Sequence, residues 1–322
     1  MTWSIEKWDR ESESAVRICE LAKICFPRSS SVAEGQELIF LQNACLGCEK
    51  SQFVLKEEGV IWGFAFLSIA PSNDVLQLVG GIHPEKRRRG FGTALLQQLV
   101  TSLSHYDGIN SLVGRCFSYQ SDSVHFFQQH HFFEIDRLIW SKRSVNEPLS
   151  ISMNIQQKLK MFEQSTLRMV TGDIFENIRD DWAKAWWSFT METCRDIPSK
   201  IPFEEIPFEK WKVYLEPPLL NRTHSIVILD GIEMVGLLNL GELDDGKINI
   251  NFTAVKSNYR RRGISMILKI KAFELAKGYG AEFITTQNHH LNPMLQINKK
   301  LGFIEDAIDL SFQKNIDQTD EV

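Results

Sequence analysis

The chain has little cysteine, no long apolar run and no excess of positive charge. Its six cysteines are scattered over 322 residues, which is not a disulfide framework and is typical of a reducing compartment. We therefore expect a cytoplasmic protein. The segment Met1 to Arg10 is polar and charged, so no secretory leader is expected there. No stretch approaches the roughly 18 apolar residues that a membrane helix needs, so no membrane partner is expected.

The charge balance argues against nucleic acid as a partner. Residues 1–150 carry 15 basic and 17 acidic side chains, and the remaining residues carry 21 and 24. Domains that bind nucleic acid usually have a surplus of Lys and Arg, and neither half has one. The two arginine triplets, 87–89 and 260–262, are therefore local features.

One cysteine pair has the spacing of a metal or redox site. Cys45 and Cys48 form a C-x-x-C sequence. Without a second pair or a neighbouring His, two half-buried cysteines at the end of a helix are the favoured interpretation. We therefore expect no metal.

The most informative feature is a loop that occurs twice. Residues 82–92 read Ile-His-Pro-Glu-Lys-Arg-Arg-Arg-Gly-Phe-Gly, and residues 255–265 read Val-Lys-Ser-Asn-Tyr-Arg-Arg-Arg-Gly-Ile-Ser. The two segments align without a gap at a spacing of 173 residues. Each joins a strand-like run to a helix-like run. A basic turn of small residues that opens a helix presents unpaired N–H groups and the positive end of the helix dipole. The sequence therefore predicts two phosphate-binding turns.

The order of predicted elements is also repeated. Each half reads as a strand, helices, three strands, a helix, a strand, a helix and further strands, which predicts an α/β fold with a mixed sheet. Hairpins are predicted about Glu58-Gly59 and Asp230-Gly231. Residues 173–194 read as one helix, and residues 132–140 read as a strand pair. The predicted domains are residues 1–148 and 166–322, joined by a linker helix within residues 149–165.

The fuller pattern resembles the acyl-CoA-binding segment of the GNAT acetyltransferases, whose usual string is V-x-P-x-x-R-x-x-G-x-G-x-x-L-L. Residues 82–96 fit this string along its length, whereas the second copy lacks the proline and has Ser265 for the last glycine. Residues 292–303 also match a later family signature. In the first-half counterpart, Ser121 replaces the Asn and His131 replaces the Gly.

This resemblance implies two tandem GNAT-like domains, each with a central mixed, mostly antiparallel sheet flanked by helices. The tandem architecture is similar to that of mycothiol synthase. The implied activity is an acyl-CoA-dependent N-acyltransferase, expected to move an acetyl group from acetyl-CoA to a small-molecule or peptide amine, with no metal. The implied cofactor-binding residues are Ile82, Arg87, Arg88, Arg89, Gly90, Phe91, Gly92 and Thr93 in the first half, and Val255, Arg260, Arg261, Arg262, Gly263, Ile264, Ser265 and Asn292 in the second.

In this family the strand before the loop parts from its neighbour, and the pantetheine arm of the cofactor takes its place. The resemblance implies that the N–H groups of Ile82 and Val255 bind the thioester carbonyl. Many members protonate the leaving thiolate with a Tyr, but the corresponding residues here are Phe127 and Asn298. The usual general acid is therefore in doubt in both halves.

The remaining candidates for catalysis are weak. Glu242, His289 and Glu205 could each act as the general base, although each is more often a surface residue. The acidic, proline-rich stretch 198–218 either lines a site or is a surface excursion, and it hints at a cationic amine acceptor. We expect catalysis in the second domain, with the first as a structural or regulatory partner.

Two other functions remain open at this point. The missing Tyr motivates a non-catalytic acyl-CoA-binding regulatory or scaffold protein. A different kind of nucleotide-binding protein is disfavoured, because neither loop has the Lys-Ser/Thr of a Walker A sequence.

Overall fold

The computed structural model describes residues 2–26, 48–69, 74–149, 151–198, 203–216 and 220–316. Contacts divide these residues into two compact units. The first unit contains residues 2–116, 120–135 and 311–316, and the second contains residues 117–119 and 136–310. Cys45 of the C-x-x-C pair lies outside the described residues, whereas Cys48 is buried.

The first unit is built on a mixed sheet. Its strands are β1 (Trp3–Lys7), β2 (Gln52–Glu57), β3 (Val60–Ile69), β4 (Val75–Ile82) and β5 (Ser111–Phe117), and its helices are α1 (Ser12–Cys25), α2 (Phe91–Ser102) and α3 (Ser121–Gln129). The strands lie in the order β1-β2-β3-β4-β5. All neighbours are antiparallel except β4 and β5, which are parallel.

The second unit repeats this arrangement. Its strands are β6 (Phe133–Ser144), β7 (Arg168–Thr171), β8 (Ser225–Asp230), β9 (Glu233–Asp244), β10 (Lys247–Val255) and β11 (Phe283–His289). Its helices are α4 (Met153–Glu163), α5 (Gly172–Ile178), α6 (Trp182–Cys194), α7 (Phe208–Trp211), α8 (Ile264–Gly278) and α9 (Met294–Lys300). The strand order is β6-β11-β10-β9-β8-β7. Only β10 and β11 pair in parallel.

Three strands are divided between the units, and of β5 only the last residue, Phe117, belongs to the second unit. The first three residues of β6 belong to the first unit, and the rest, from Asp136, belong to the second. The last strand, β12 (Ile304–Asn315), lies in the second unit up to Leu310 and in the first unit from Ser311. The contact-based units therefore differ from the sequence boundaries 1–148 and 166–322, because strand segments from each half of the sequence complete the other unit.

Most predicted elements are confirmed. Both hairpins, both mixed sheets and the linker helix are present. The single helix predicted over residues 173–194 is wrong, because an extended residue, Arg179, separates α5 from α6. An ion pair between Arg179 and Asp181 closes this break. The strand pair predicted over residues 132–140 is also wrong, because β6 continues as one strand to Ser144.

The sheet of the second unit is covered on both faces. Ile228, Leu238 and Ile250 face a cluster that includes Leu268 of α8. Val227 and Leu237, which alternate with them along the strands, face the aromatic side chains of α6. Complete burial of one such aliphatic side chain contributes roughly 1.5–3 kcal/mol. This packing fixes α8, and with it the turn that precedes the helix.

Lys269 is a buried cation in this core. Its side chain is 2% exposed, and its ammonium lies 5.8 Å from the centre of the Phe303 ring. Burial lowers the pKa of Lys269 to about 7, since removing the charged form from water is unfavourable. Much of the native population therefore carries a neutral amine at this position near neutral pH.

We predict that Lys269 makes the stability of the protein depend on pH. Above pH 7 the unfolded chain holds a proton on Lys269 that the native chain has lost, so the free energy of unfolding rises with pH by at most about 1.4 kcal/mol per unit. Lys269→Met removes this slope between about pH 7 and 10 and raises stability at pH 7. Urea unfolding at several pH values measures both effects. An unchanged slope in Lys269→Met would contradict the prediction, and exposed Lys277→Met is the matched control.

Candidate functional site

The two loops have the same backbone conformation. Arg88 and Gly90 have positive φ angles of 61° and 79°, and their counterparts Arg261 and Gly263 have 65° and 90°. A short 3-10 turn precedes each pair, and α2 or α8 begins directly after the glycine. Left-handed residues two positions apart turn nearby N–H groups toward one side, which makes a concave anion site. The gap-free sequence repeat is therefore a repeat of geometry.

The N–H groups of these turns are available to a ligand. Among the described residues, the N–H groups of residues 88–93 and 261–265 have no hydrogen-bond acceptor. Those of the first helical turn lack an intrahelical partner by geometry. The side chains of Phe91 and Ile264 are not available to a ligand, because they are buried beneath the turns. What these positions offer a ligand is main chain.

The first arginine of each triplet braces the turn. Arg87 Nε donates to the carbonyl oxygen of Ile82 at 3.1 Å, and Arg260 Nε donates to that of Val255 at 2.9 Å. Arg260 also pairs with Asp196. The five-residue spacing between strand end and arginine thus has a structural cause, because the guanidinium reaches back to the last carbonyl of the strand.

The third arginine is held differently in the two units. Arg89 and Lys86 both pair with Glu57, and together they hold the pKa of this nearly buried carboxyl below its usual range. In the second unit, Tyr259 and Asp230 occupy the positions of Lys86 and Glu57, and the tyrosine hydroxyl donates to the carboxylate at 2.8 Å. Arg262 lies over the ring of Tyr259 instead. The middle arginine is exposed in both loops.

The strand before each loop parts from its parallel neighbour. Pairing of β4 with β5 ends at Leu78 and Gly114, although β4 runs on to Ile82. Pairing of β10 with β11 ends at Ile250, although β10 runs on to Val255. Each unit therefore contains a fork, which we define as residues 79–82 with the end of β5 and residues 251–255 with the end of β11.

The strand-end N–H groups point into the forks. The N–H of His83 donates to Trp62, and that of Lys256 donates to Val235. Residues of an antiparallel strand alternate in direction, so Ile82 and Val255, which oppose Gly63 and Gly236, direct their N–H groups away from β3 and β9. Both N–H groups therefore lie on the fork side of their strands.

Among the described strands that border the two forks, β10 has a bulge where its fork begins and β4 has none. The register of β10 against β9 shifts between Ile248 and Phe252, whereas β4 pairs with β3 without interruption. Two oxygens in this region, Asn239 Oδ1 and Thr253 Oγ1, are buried without a hydrogen-bond partner in the described chain. A bulge turns the local N–H and side-chain groups out of the ladder. Ile and Asn alternate over residues 248–251, but this alternation does not specify the extra residue of the bulge.

The forks are closed by different side chains. In the first unit the Phe127 ring packs so closely on Gly114 that a Cβ there would lie 2.5 Å from it. In the second unit the same position is Asn298, which is 1% exposed and donates to Asn288 Oδ1 at 2.7 Å. Its Oδ1 has no partner among the described residues. Neither side chain is an acid that can protonate a thiolate.

His289 is part of a buried pair. Its Nε2 lies 2.6 Å from Asp136 Oδ1, and its Nδ1 accepts the N–H of Leu291 at 3.1 Å. His290 stacks beside it, 3.6 Å from the same carboxylate. Both nitrogens of His289 are therefore engaged, which does not favour its predicted role as a base.

The other predicted bases are more accessible. Glu242 accepts from Asn221 at 2.8 Å, lies 3.9 Å from His224 and is half exposed. It follows Gly241, whose missing Cβ would lie 3.2 Å from the side chain of Asn251 in the bulge. Glu205 is exposed and pairs with Arg195.

The remaining predicted cofactor-binding residues make local contacts within the protein. Asn292 Oδ1 accepts the N–H of Met294 at 2.9 Å and so caps α9, which leaves its amide nitrogen free of this bond. Gly92 lies against the ring of Phe126, and Thr93 bonds His130 at 3.0 Å. Ser265, the counterpart of Gly92, is half-buried.

Comparison with known proteins identifies the family. The sequence profile of the acetyltransferase (GNAT) family matches residues 15–132 and 181–303. The chain belongs to the GNAT acetyltransferase family. No curated protein matches it. Among the described residues, no helix is long and apolar enough to cross a bilayer.

Solved structures of GNAT proteins share the fold. A GCN5-related N-acetyltransferase from Sphaerobacter thermophilus is 14% identical, with a TM-score of 0.71 over 97% of this chain and 95% of that one. A tandem GNAT protein from the clavulanic acid biosynthesis pathway is 12% identical, with a TM-score of 0.67 over 99% and 100% of the two chains. The tandem GNAT architecture predicted from the two loops is confirmed.

We predict that alanine is tolerated better at Gly90 than at Gly263. Both positions require a left-handed residue, which costs an alanine about 1–2 kcal/mol. An added Cβ at Gly90 meets nothing within 4 Å, whereas at Gly263 it would lie 2.8–3.1 Å from the side chain of Lys158. Gly263→Ala should therefore lower the urea midpoint more than Gly90→Ala. Equal midpoints in the two variants would contradict this account.

Proposed function

We propose that the protein is an acyl-CoA-dependent N-acyltransferase that transfers an acetyl group from acetyl-CoA to an amine, with catalysis in the second unit. The observation that carries the proposal is the fork in which β10 leaves β11 directly before an anion-binding turn. A diphosphate suits the turn, and an extended amide-containing chain suits the unpaired strand edge. Coenzyme A combines these two groups in one molecule. We place this activity in the cytoplasm.

The fork also suits the chemistry of acyl transfer. An amine that attacks a thioester places negative charge on the carbonyl oxygen, and an oriented N–H group stabilises that charge. The N–H of Val255 points into the fork and is fixed by the ladder on its other side. Glu242 is an exposed carboxylate that directly follows Gly241, the neighbour of Asn251 in the bulge, and it is our candidate for accepting the amine proton.

Three differences favour the second unit. Its fork begins at a bulge, its Asn239 and Thr253 oxygens lack partners among the described residues, and its closing residue is the polar Asn298. The first fork has a regular ladder and an aromatic ring packed at its apex. We therefore assign the first unit a structural or cofactor-binding role without turnover.

The absence of an acidic side chain at Phe127 and Asn298 favours one other function, a non-catalytic acyl-CoA-binding regulatory or scaffold protein. The two proposals differ in thiol release. Calorimetry with acetyl-CoA, combined with a thiol assay over a panel of amines, separates them. Binding without release from any amine would favour the regulatory protein, and no binding would exclude both.

We predict that charge reversal in the second turn weakens the use of acetyl-CoA and that the same change in the first does not. Arg88 and Arg261 occupy matching positions, are exposed and share a backbone conformation, although Arg88 also lies 3.6 Å from Asp122, so each variant is the control for the other. Arg261→Glu should raise the Michaelis constant for acetyl-CoA at least tenfold, because like charge repels the diphosphate. Steady-state thiol release measures it. Loss of activity in Arg88→Glu alone would move the active site to the first unit.

We further propose that the acceptor is a cationic amine, with the acidic stretch around Glu204 and Glu205 close to its entry. Glu204 is exposed, and Glu205 forms an ion pair with Arg195. The double variant Glu204→Gln with Glu205→Gln should raise the Michaelis constant for a cationic acceptor several-fold and leave that for acetyl-CoA unchanged. Glu274→Gln on α8 is the control. An unchanged acceptor constant would refute a role for this stretch.

A further inference from the structure

The linker helix α4 reaches the phosphate-binding turn of the second unit. Ile155 is buried in the core cluster beneath α8, and Leu159 and Phe162 pack against the same cluster. Lys158 lies on this packed side of the helix and is half-buried. A Cβ added to Gly263 would meet its Cδ at 2.8 Å and its Cβ and Cγ at 3.1 Å. The alkyl stem of Lys158 therefore crosses the glycine of the turn.

The first turn has no such neighbour among the described residues. A Cβ added to Gly90 would meet nothing within 4 Å. The family profile covers residues 15–132 and 181–303, so α4 lies between the two matched regions. Contact between a lysine and the second turn is therefore a property of this linker and not of the repeated sequence.

The second turn has few cations free to meet an anion. Arg260 is engaged by Val255 and Asp196. Arg262 donates to the carbonyl oxygen of Asn258 and lies over the Tyr259 ring. Of the triplet, this leaves the exposed Arg261.

Lys158 can supply a second cation. It forms no ion pair within the described part of the chain, and its ammonium lies only two bonds beyond the Cδ that contacts the turn. A lysine whose stem is packed has already lost part of its rotamer freedom, so less is lost when it binds. An ammonium paired with a phosphate oxygen makes a charge-assisted hydrogen bond, which is stronger than a neutral one.

We propose that Lys158 of the linker helix binds the diphosphate of coenzyme A at the turn around Gly263. This inference rests on the proposed function, because it adds a side-chain cation to the main-chain donors of the same site. It also gives the linker a part in cofactor binding: the helix that joins the two halves of the sequence completes the turn of the second.

The test compares cofactor binding in variants that carry Arg88→Glu, which weakens binding of the diphosphate at the first turn by charge repulsion. Lys158→Met keeps the packed stem and removes the charge, and we expect it to weaken CoA binding in calorimetry about tenfold. Lys158→Arg should restore most of the affinity. Lys160→Met, on the exposed side of the same helix, should bind as the parent does. Pantetheine, which lacks the phosphates, should bind Lys158→Met and its parent equally.

The outcomes separate the two levels of the proposal. If the parent binds CoA and Lys158→Met binds it equally well, the role of Lys158 is wrong and the proposed function stands. If Lys158→Met weakens pantetheine as much as CoA, the lysine acts through structure and the inference is again wrong. If neither the wild-type protein nor the parent binds CoA, the proposed function itself fails, and the inference fails with it.

Discussion

The arrangement of each unit depends on hydrogen bonds that the sheet does not make. Backbone N–H and C=O groups seldom remain without partners in a folded protein. Beyond Ile250 and Leu78, however, β10 and β4 continue without pairing to their parallel neighbours, β11 and β5. The turn and the following helix then place a row of N–H groups at the end of the same strand. An anionic group attached to an extended amide chain would meet both needs, and this links the fold to the proposed transferase.

The two units keep this frame but differ in what surrounds it. In the first unit, Glu57 forms ion pairs with Lys86 and Arg89, and Phe127 packs at the apex of the fork. In the second, an uncharged Tyr259 replaces the lysine, and the apex holds an amide. These differences redistribute charge and polarity around turns that keep the same left-handed residues. A duplicated domain can thus retain its fold while its two copies acquire different chemistry.

Much of the frame could be predicted from the sequence, because glycine and arginine spacing reports backbone geometry directly. The positive φ angles at Gly90 and Gly263 follow from residue type, and the hairpins follow from Glu58-Gly59 and Asp230-Gly231. Features set by tertiary contact could not be predicted. At the break, Arg179 donates to the carbonyl oxygen of Ile232, which is remote in sequence, and Nε2 of His289 is engaged by the equally remote Asp136. The bulge of β10 reflects its neighbour β9 and has no residue signature of its own.

The division of β6 and β12 has a consequence for how the chain can be cut. The segment of β6 from Leu138 to Ser144 pairs with the whole length of β11. This segment precedes the linker helix in the sequence. A fragment that starts at residue 149 would lack this strand and would expose the edge of β11 to solvent and to other chains. Neither half of the sequence therefore contains a complete sheet, and a cut between the halves would remove a strand segment from each unit.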